Sequence, residues 1–258
     1  MEAEDFCLEY VDARGKPHRG PLEVMWSARF EDGMPVRGLS SYKGQRNFTG
    51  WYWAATGAVH VGFESWVERD HLMRLDFDPQ VSAMVSQPFR LSWRVEGRQR
   101  RVEHTPDYFV RRTDGSGLVI DVRPDERIEP EDAAKFAATA VACARVGWDF
   151  QRLGVMGPVL AANLRWLGGY RHPRVMRESV ADRLRAAFAV ERGLLEGTQV
   201  VGDPMAVLPV LYHLLWRQEL VVELETALLS AASSVGPGRT VRKVVTSDGV
   251  PSAAAVGW

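Results

Sequence analysis

Hydrophobic and polar residues alternate in short runs along the first part of the chain. Such runs occupy residues 6–11 and 51–53, with glycines and prolines between them. A period of two, bounded by turn-forming residues, is typical of a β-strand with one buried face. Residues 91–95 and 101–102 repeat the pattern on either side of Gly97. The first hundred residues are therefore predicted to contain several short strands.

Helical spacing replaces this alternation at four places. In the first, Phe63, Trp66 and Met73 recur at offsets that bring them to one face of a helix. In the second, Pro130 stands where a helix can begin and Gly147 where it can end. The four predicted helices cover residues 65–75, 130–146, 174–192 and 204–216.

A hairpin is predicted between the first two helices. Its arms are residues 105–112 and 118–123, and residues 113–117 form the turn. A further strand follows the second helix at residues 148–155, and two short β-like runs, 220–222 and 227–229, follow the last helix. Strands and helices mixed in this order predict an α/β or α+β fold.

Composition narrows the class of protein. Of the 258 residues, 46% are hydrophobic and 25% are charged, and the formal net charge is −1. These values are those of a globular chain that is long enough to bury a core without disulfides. Because the net charge is close to zero, any contact with DNA is expected from local basic patches and not from bulk attraction.

The cysteine count and the apolar stretches bear on location. Two cysteines, Cys7 and Cys143, are too few for a disulfide framework and favour a reducing, cytoplasmic setting. The acidic first residues are not followed by an apolar stretch, so no secretory signal is expected. No apolar stretch approaches the roughly 20 residues of a membrane-spanning helix, so no membrane contact is expected.

The predicted hairpin carries the candidate chemistry. Asp107 and Asp121 are 14 residues apart, and their midpoint, residue 114, falls in the turn. If the register is symmetric about the turn, the two carboxylates face each other at about 5 Å between Cβ atoms. Two such close carboxylates repel each other, and a divalent cation such as Mg²⁺ would relieve the repulsion. Glu64 and Glu68, on one stripe of the first predicted helix, could add a third carboxylate.

Several blocks around these acids resemble one nuclease family. Glu68, then Pro106-Asp107, then Asp121-Val122-Arg123 resemble the PD-(D/E)xK nuclease pattern. With their neighbours, they are similar to the TnsA-like endonuclease subunit of heteromeric transposases, and the resemblance covers about residues 60–155. The blocks are residues 64–72, 75–79, 87–88, 104–109 and 119–124.

The resemblance implies a fold and an activity. It implies a restriction-endonuclease-like core that nicks double-stranded DNA at transposon ends by hydrolysis dependent on Mg²⁺ or Mn²⁺. It also implies a DDE transposase subunit and an ATPase regulator as partners, and a C-terminal helical or winged-helix-like domain that contacts them. The expected division is an N-terminal β-rich extension, the nuclease core, the C-terminal domain and a disordered basic tail, at residues 1–60, 61–155, 156–235 and 236–258.

The family's site residues can be placed on this chain one by one. By resemblance, Glu68 is the helix glutamate, Asp107 the PD aspartate and Asp121 the third acid, and these three would hold the metal. The lysine of the pattern falls on Arg123, which is a departure, because arginine stays protonated and could only orient water or stabilise charge on the phosphate. Lys135, on the following predicted helix, could supply a lysine that has moved.

Simpler interpretations of these residues stand beside the functional ones. Asp107 and Asp121 could be solvated turn acids, Glu68 and Lys135 surface helix residues, and Arg123 an ion-pair partner of a nearby aspartate. For His104 a structural role is favoured over contact with phosphate or proton transfer. Five arginines on two neighbouring hairpins could contact DNA phosphates or could simply be a charged sheet edge: Arg98, Arg100, Arg101, Arg111 and Arg112.

Two other functions use the same residues. The arginine at the lysine position favours a non-catalytic assembly factor that binds DNA and bridges the transposase and its regulator. Three converging acids disfavour that function, because without a metal they would repel DNA phosphates. A stand-alone restriction or repair nuclease would use the same site without partners.

Overall fold

The computed structural model describes residues 3–39, 48–97 and 99–238, and combines thirteen strands and seven helices in that part of the chain. The strands are β1 Ala3–Val11, β2 Pro17–Pro21, β3 Gly50–Ala54, β4 Val59–Phe63, β5 Val81–Ser86, β6 Arg90–Val95, β7 Val102–His104, β8 Tyr108–Arg112, β9 Gly117–Val122, β10 Asp149–Leu153, β11 Arg192–Gly193, β12 Leu220–Val222 and β13 Ser234–Pro237. The helices are α1 Leu22–Met25, α2 Trp66–Phe77, α3 Pro130–Arg145, α4 Pro158–Gly168, α5 Glu178–Ala187, α6 Leu194–Val201 and α7 Pro204–Trp216.

Two four-stranded sheets make up the first two thirds of the molecule. The central sheet has the order β10-β9-β8-β5, and the N-terminal sheet has the order β2-β1-β6-β7. In the central sheet β8 is antiparallel to β5 and β9, whereas β10 is parallel to β9. A parallel neighbour needs a crossover connection, and α3 provides it between β9 and β10. Of the two strands at the start of the chain, β1 pairs with β6 and β2 pairs with β1, so the N-terminal sheet joins the start of the chain to residues 90–104.

The central sheet is covered on both faces, as its alternating buried side chains require. Tyr108, Val110 and Ile120 pack in one hydrophobic cluster with α2 and the C-terminal helices. Phe109 and Val119 face the other way and pack in a second cluster with α3 and the N-terminal sheet. Because side chains alternate along a strand, Asp107 and Asp121 belong on the second face, at the edge where β8 begins and β9 ends.

The C-terminal third contains three helices and a small sheet. In chain order it runs α5, β11, α6, α7, β12 and β13, and the sheet has the order β11-β13-β12. Its buried residues, among them Leu184, Leu211 and Val235, belong to the same hydrophobic cluster as one face of the central sheet. No helix in the described ranges is long and apolar enough to cross a membrane.

The helix and strand predictions are largely confirmed, with corrections in the C-terminal third. The predicted helices at 65–75, 130–146 and 204–216 are α2, α3 and α7. The one predicted at 174–192 is shortened to α5, because residues 173–175 form a separate 3₁₀ turn and Phe188 caps the helix. The predicted run at 227–229 is not a strand, and β13 pairs with β12 instead. Residues 239–258 of the predicted tail lie outside the described ranges.

Candidate active site

The register of the β8–β9 hairpin is the one predicted from its turn. Tyr108 pairs with Ile120, and each later pair is likewise symmetric about the turn. Continued one residue past the start of β8, this register places Asp107 opposite Asp121. The symmetric register of the hairpin is therefore confirmed.

Asp107 is held by the backbone of the neighbouring strands. The amide of Val122 donates a 2.7 Å hydrogen bond to its Oδ2, and the amide of Gln87, just after β5, donates a 2.8 Å bond to its carbonyl oxygen. Backbone donors fix a carboxylate without adding a positive side chain. Asp107 therefore lies where β5, β8 and β9 meet at one edge of the central sheet.

Asp121 is buried and bonded to a histidine. It is 2% exposed, and Nε2 of His104 lies 2.9 Å from each of its two carboxylate oxygens. The histidine ring also makes an edge contact with Phe136 of α3, at 6.1 Å between ring centroids. His104 comes from β7, so the N-terminal sheet contributes directly to this edge of the central sheet.

Glu68 lies in the first turn of α2 and caps it. The amide of Glu68 donates to Oγ of Ser65, while the Glu68 carboxylate accepts from the amide of Glu64 at 2.8 Å and from the Ser65 hydroxyl at 2.8 Å. This reciprocal arrangement is a capping box. The hydroxyl of Tyr108 also donates to Glu68 Oε2 at 3.3 Å, which ties the helix to β8. Glu68 is thus fixed by the helix start next to the hairpin.

Burial and the charges of the neighbouring acids act on the carboxyl group of Asp107. Burial raises the pKa of Asp107 well above its usual range, and the negative charges of Glu68 and Asp121 raise it further. Burial also raises the pKa of Glu68, against its hydrogen bonds. We call Glu68, Asp107 and Asp121 the acidic cluster. The pKa shift of Asp107 follows from bringing it close to two other carboxylates in a poorly solvated place.

Two residues near the cluster were missed by sequence reasoning. Arg37 makes a bidentate ion pair with Glu64, at 2.8 and 3.0 Å. Its positive charge offsets a small part of the rise in the pKa of Asp107. Gln87 is 3% exposed, adopts a φ of +48°, and accepts a hydrogen bond from the amide of Val36 through its carbonyl. Gln87 lies in one of the blocks that resemble the nuclease family, residues 87–88, but no role was predicted for it. No local pattern marked Arg37, which is far from the acidic residues in the sequence.

Arg123 forms an ion pair with α3. Its guanidinium binds Asp132 at 2.8 Å, and its side chain is 44% exposed. Arg123 is thus the ion-pair partner of an aspartate, as the simpler interpretation has it, although the aspartate belongs to α3 and not to the residues next to Arg123 in the chain. Lys135 follows Asp132 by one turn of α3, is half-buried, and has no acidic partner within 4.0 Å in the described ranges.

The five arginines predicted to contact DNA have different surroundings. Arg98 lies outside the described ranges, and Arg100 is exposed. Arg101 binds the hydroxyl and the carbonyl of Ser92, whereas Arg111 pairs with Glu31 at 3.2 Å and Arg112 pairs with Asp149. Three of the four described arginines therefore already have partners within the chain, which reduces what they offer to phosphates.

The acidic cluster has the donor chemistry of a site for a hard divalent cation. Mg²⁺ takes oxygen ligands and is commonly held by only one or two carboxylates, with water and substrate oxygens completing its shell. A cation at the cluster would offset the repulsion that raises the pKa of Asp107. Among the described residues, no group of three or more histidine, cysteine, aspartate or glutamate side chains is placed so that it could hold a metal ion. A cation here would therefore have at most two protein carboxylates as direct ligands, with water and substrate oxygens completing its shell.

The comparison with known families falls on this same edge of the sheet. Residues 78–153 match the family model described as TnsA-like endonuclease N terminal. Over these residues the chain is similar to TnsA-like endonucleases. The match covers less than a third of the 258 residues, includes both aspartates of the cluster and Lys135, and leaves out Glu68. No curated protein matches the chain.

The TnsA-like match runs from just before β5 to the end of β10. It therefore contains the whole central sheet and α3, which are the elements that place Asp107 and Asp121. The resemblance predicted from the sequence is confirmed for this region.

Proposed function

We propose that this chain is the metal-dependent DNA endonuclease subunit of a heteromeric transposase. One observation carries the proposal: within the region similar to TnsA-like endonucleases, the hairpin register brings Asp107 and the buried Asp121 to one edge of the sheet, where burial and then the charges of Glu68 and Asp121 raise the pKa of Asp107. Holding like charges together is costly, so a site built this way indicates a missing positive partner. Mg²⁺ or Mn²⁺ is the partner with the matching ligand chemistry.

The roles of the acids follow from their positions. Asp107 and Asp121 would hold the cation, and Glu68 would complete the site directly or through water. When bound, the metal would polarise the phosphodiester and lower the pKa of an attacking water. Backbone hydrogen bonds fix Asp107, and the capping box fixes Glu68, so neither carboxylate has to be reorganised when substrate arrives.

The positive group of the site is proposed to come from α3. The guanidinium of Arg123 is bound to Asp132, so Arg123 is proposed only to help stabilise charge on the phosphate. Lys135 lies on the same helix as Asp132 and Phe136, which contact Arg123 and His104 respectively. That placement supports Lys135 as the lysine that orients water or stabilises the charge of the phosphate.

The C-terminal third is proposed to be a winged-helix-like partner domain. Its order of helix, short strand, two helices and two strands, with the first strand next to the last, is the order of a winged helix. Such a unit can dock on DNA or on protein. We propose the DDE transposase subunit and the ATPase regulator as its partners, double-stranded transposon ends as the substrate, and the cytoplasm as the location.

A non-catalytic assembly factor is the second candidate. The observation that favours it is Arg123, which stands where the pattern has lysine and whose guanidinium is bound to Asp132. Such a protein would keep the fold to bind DNA ends and to bridge the transposase and its regulator.

Calorimetric titration of the purified chain with Mn²⁺ separates the two candidates. The endonuclease should bind Mn²⁺, and Asp121→Ala should abolish the binding, because the variant removes one oxygen ligand. Glu126→Gln, an exposed acid outside the cluster, is the matched control and should bind like the wild type. Absence of Mn²⁺ binding by the wild type, with and without a short DNA duplex, would favour the assembly factor.

A further inference from the structure

His104 reaches the acidic cluster from a different sheet and has no part in the proposed mechanism so far. It is the last residue of β7, where it pairs with Leu91 of β6 in the N-terminal sheet. Its Nε2 nevertheless lies 2.9 Å from both oxygens of Asp121, which belongs to β9 of the central sheet. A contact between two sheets at a candidate metal ligand calls for a functional explanation.

The contact between His104 and Asp121 is largely shielded from solvent. The side chain of His104 is 14% exposed and that of Asp121 is 3% exposed. The ring of Phe136 meets the imidazole edge-on at an interplanar angle of 73°. A buried carboxylate needs donors, and in the described ranges the recorded hydrogen bonds to the Asp121 carboxylate all come from His104. The histidine therefore determines how the Asp121 carboxylate is oriented.

Arg123, which stands at the expected lysine position, does not orient the Asp121 carboxylate. It follows the end of β9 by one residue, and its guanidinium binds Asp132 of α3. The carboxylate of Asp121 thus has a donor from β7 instead of one from its own strand.

We propose that His104 is a positioning residue that holds the Asp121 carboxylate ready for the divalent cation. The inference rests on the proposed function, in which Asp121 is a metal ligand. Carboxylates that bind metals are themselves commonly hydrogen-bonded, and loss of such an outer partner typically weakens metal binding about 10–100-fold. His104 acts through its hydrogen bond to Asp121 and does not itself contact the metal.

The test is Mn²⁺ titration calorimetry on the full chain with matched histidine variants. His104→Ala should weaken Mn²⁺ binding about 10–100-fold. His104→Gln should stay within about threefold of the wild type, because the glutamine amide can place an N–H where Nε2 lies. His104→Asn, whose amide is too short to reach, should resemble the alanine variant. His60→Ala, at an exposed histidine of β4, should leave the affinity unchanged.

The outcomes separate this inference from the proposed function. Wild-type binding that His104→Ala leaves equal or makes tighter would overturn the inference while keeping the metal site. Absence of wild-type binding would overturn both. If His104→Ala does not fold, as judged by its thermal transition, the comparison of His104→Gln with His104→Asn decides: equal affinities of these two variants would overturn the inference. A purely structural role would lower the melting temperature of the variants without this division in affinity.

Discussion

Asp107→Asn should stabilise the metal-free protein, which is unusual for a change at a candidate catalytic residue. The substitution removes a negative charge that Glu68 and Asp121 oppose, and an asparagine oxygen can still accept the hydrogen bond from Val122. The acidic cluster is thus expected to reduce the stability of the fold for as long as no cation is bound.

The size of the effect follows from the register of the hairpin. The Cβ atoms of directly opposed residues lie about 5 Å apart, and two unit charges separated by about that distance would repel by about 3 kcal/mol at an effective dielectric constant of about 20. The hydrogen bonds from His104 and Val122 offset part of this repulsion. We expect a gain of about 1–3 kcal/mol, or about 2–10 °C in melting temperature for a chain of this size.

The gain should depend on pH with a definite sign. In the unfolded chain an aspartate ionises near pH 3.9, whereas in the folded protein the pKa of Asp107 is raised. Wild-type stability should therefore fall as the pH rises from about 4 through the raised pKa, and then level off. Asp107→Asn has no such loss, so its advantage should be absent near pH 4 and largest at alkaline pH. Millimolar Mg²⁺ should shrink the advantage by binding only the wild type.

Thermal unfolding of both proteins between pH 4 and pH 9, with and without Mg²⁺, measures this directly. Asp12→Asn is a control with the opposite sign, because hydrogen bonds from His18 and the Lys16 amide lower the pKa of Asp12 to about 2. That variant should be less stable than the wild type across this whole pH range, because the stabilisation by ionised Asp12 is lost only below about pH 4. If Asp107→Asn is less stable than the wild type at every pH, the electrostatic account of the acidic cluster is wrong.

Three further substitutions test other parts of the structure by thermal or urea unfolding. Gly197→Ala should destabilise by about 1–3 kcal/mol, because a Cβ there would lie well within contact distance of the Phe188 ring; a neutral result would mean that the ring moves freely. Tyr52→Phe should cost about 1–2 kcal/mol, since it removes a 2.8 Å hydrogen bond to the buried Asp76, and an unchanged melting temperature would contradict this. Arg123→Gln should cost at most about 1 kcal/mol, because its ion pair is largely exposed, and should leave Mn²⁺ affinity within about twofold; a tenfold loss would give Arg123 a direct role.

The hairpin could be predicted from sequence because its determinants are local. The turn around Gly115 fixes the register, and the register alone sets Asp107 against Asp121. The start of α2 was similarly readable, because Ser65 and Glu68 form a capping box within four residues. In both places the residues that decide the structure are neighbours in the chain.

The partners of the cluster could not be predicted, because they come from distant segments. His104 belongs to a strand whose neighbour is β6, and the distance of its imidazole from Asp121 depends on how two sheets meet. Arg37 reaches the site through an ion pair with Glu64, 27 residues away. Arg123 follows the end of β9 by one residue, and only tertiary structure determines that Asp132 of α3 binds it.

Helices α4 and α6 show a second limit of prediction from sequence. Leu160, Leu164 and Leu167 lie on one face of α4, and the last two are buried, yet the small and apolar residues around them in the run Pro158–Gly168 weaken the contrast between the faces of the helix. Gly197 lowers the helical propensity of α6, although its lack of a side chain is what lets Phe188 pack against it. Packing overrides propensity in both helices.

Strand cleavage tests the central claim most directly. Duplex DNA carrying a transposon end would be incubated with Mg²⁺ and either the wild type or Asp107→Ala, each alone and together with the DDE transposase subunit. The account predicts cleavage by the wild type in at least one of these conditions, and loss of that cleavage in the variant. Equal cleavage by the two proteins, or no cleavage by the wild type in either condition, would contradict it.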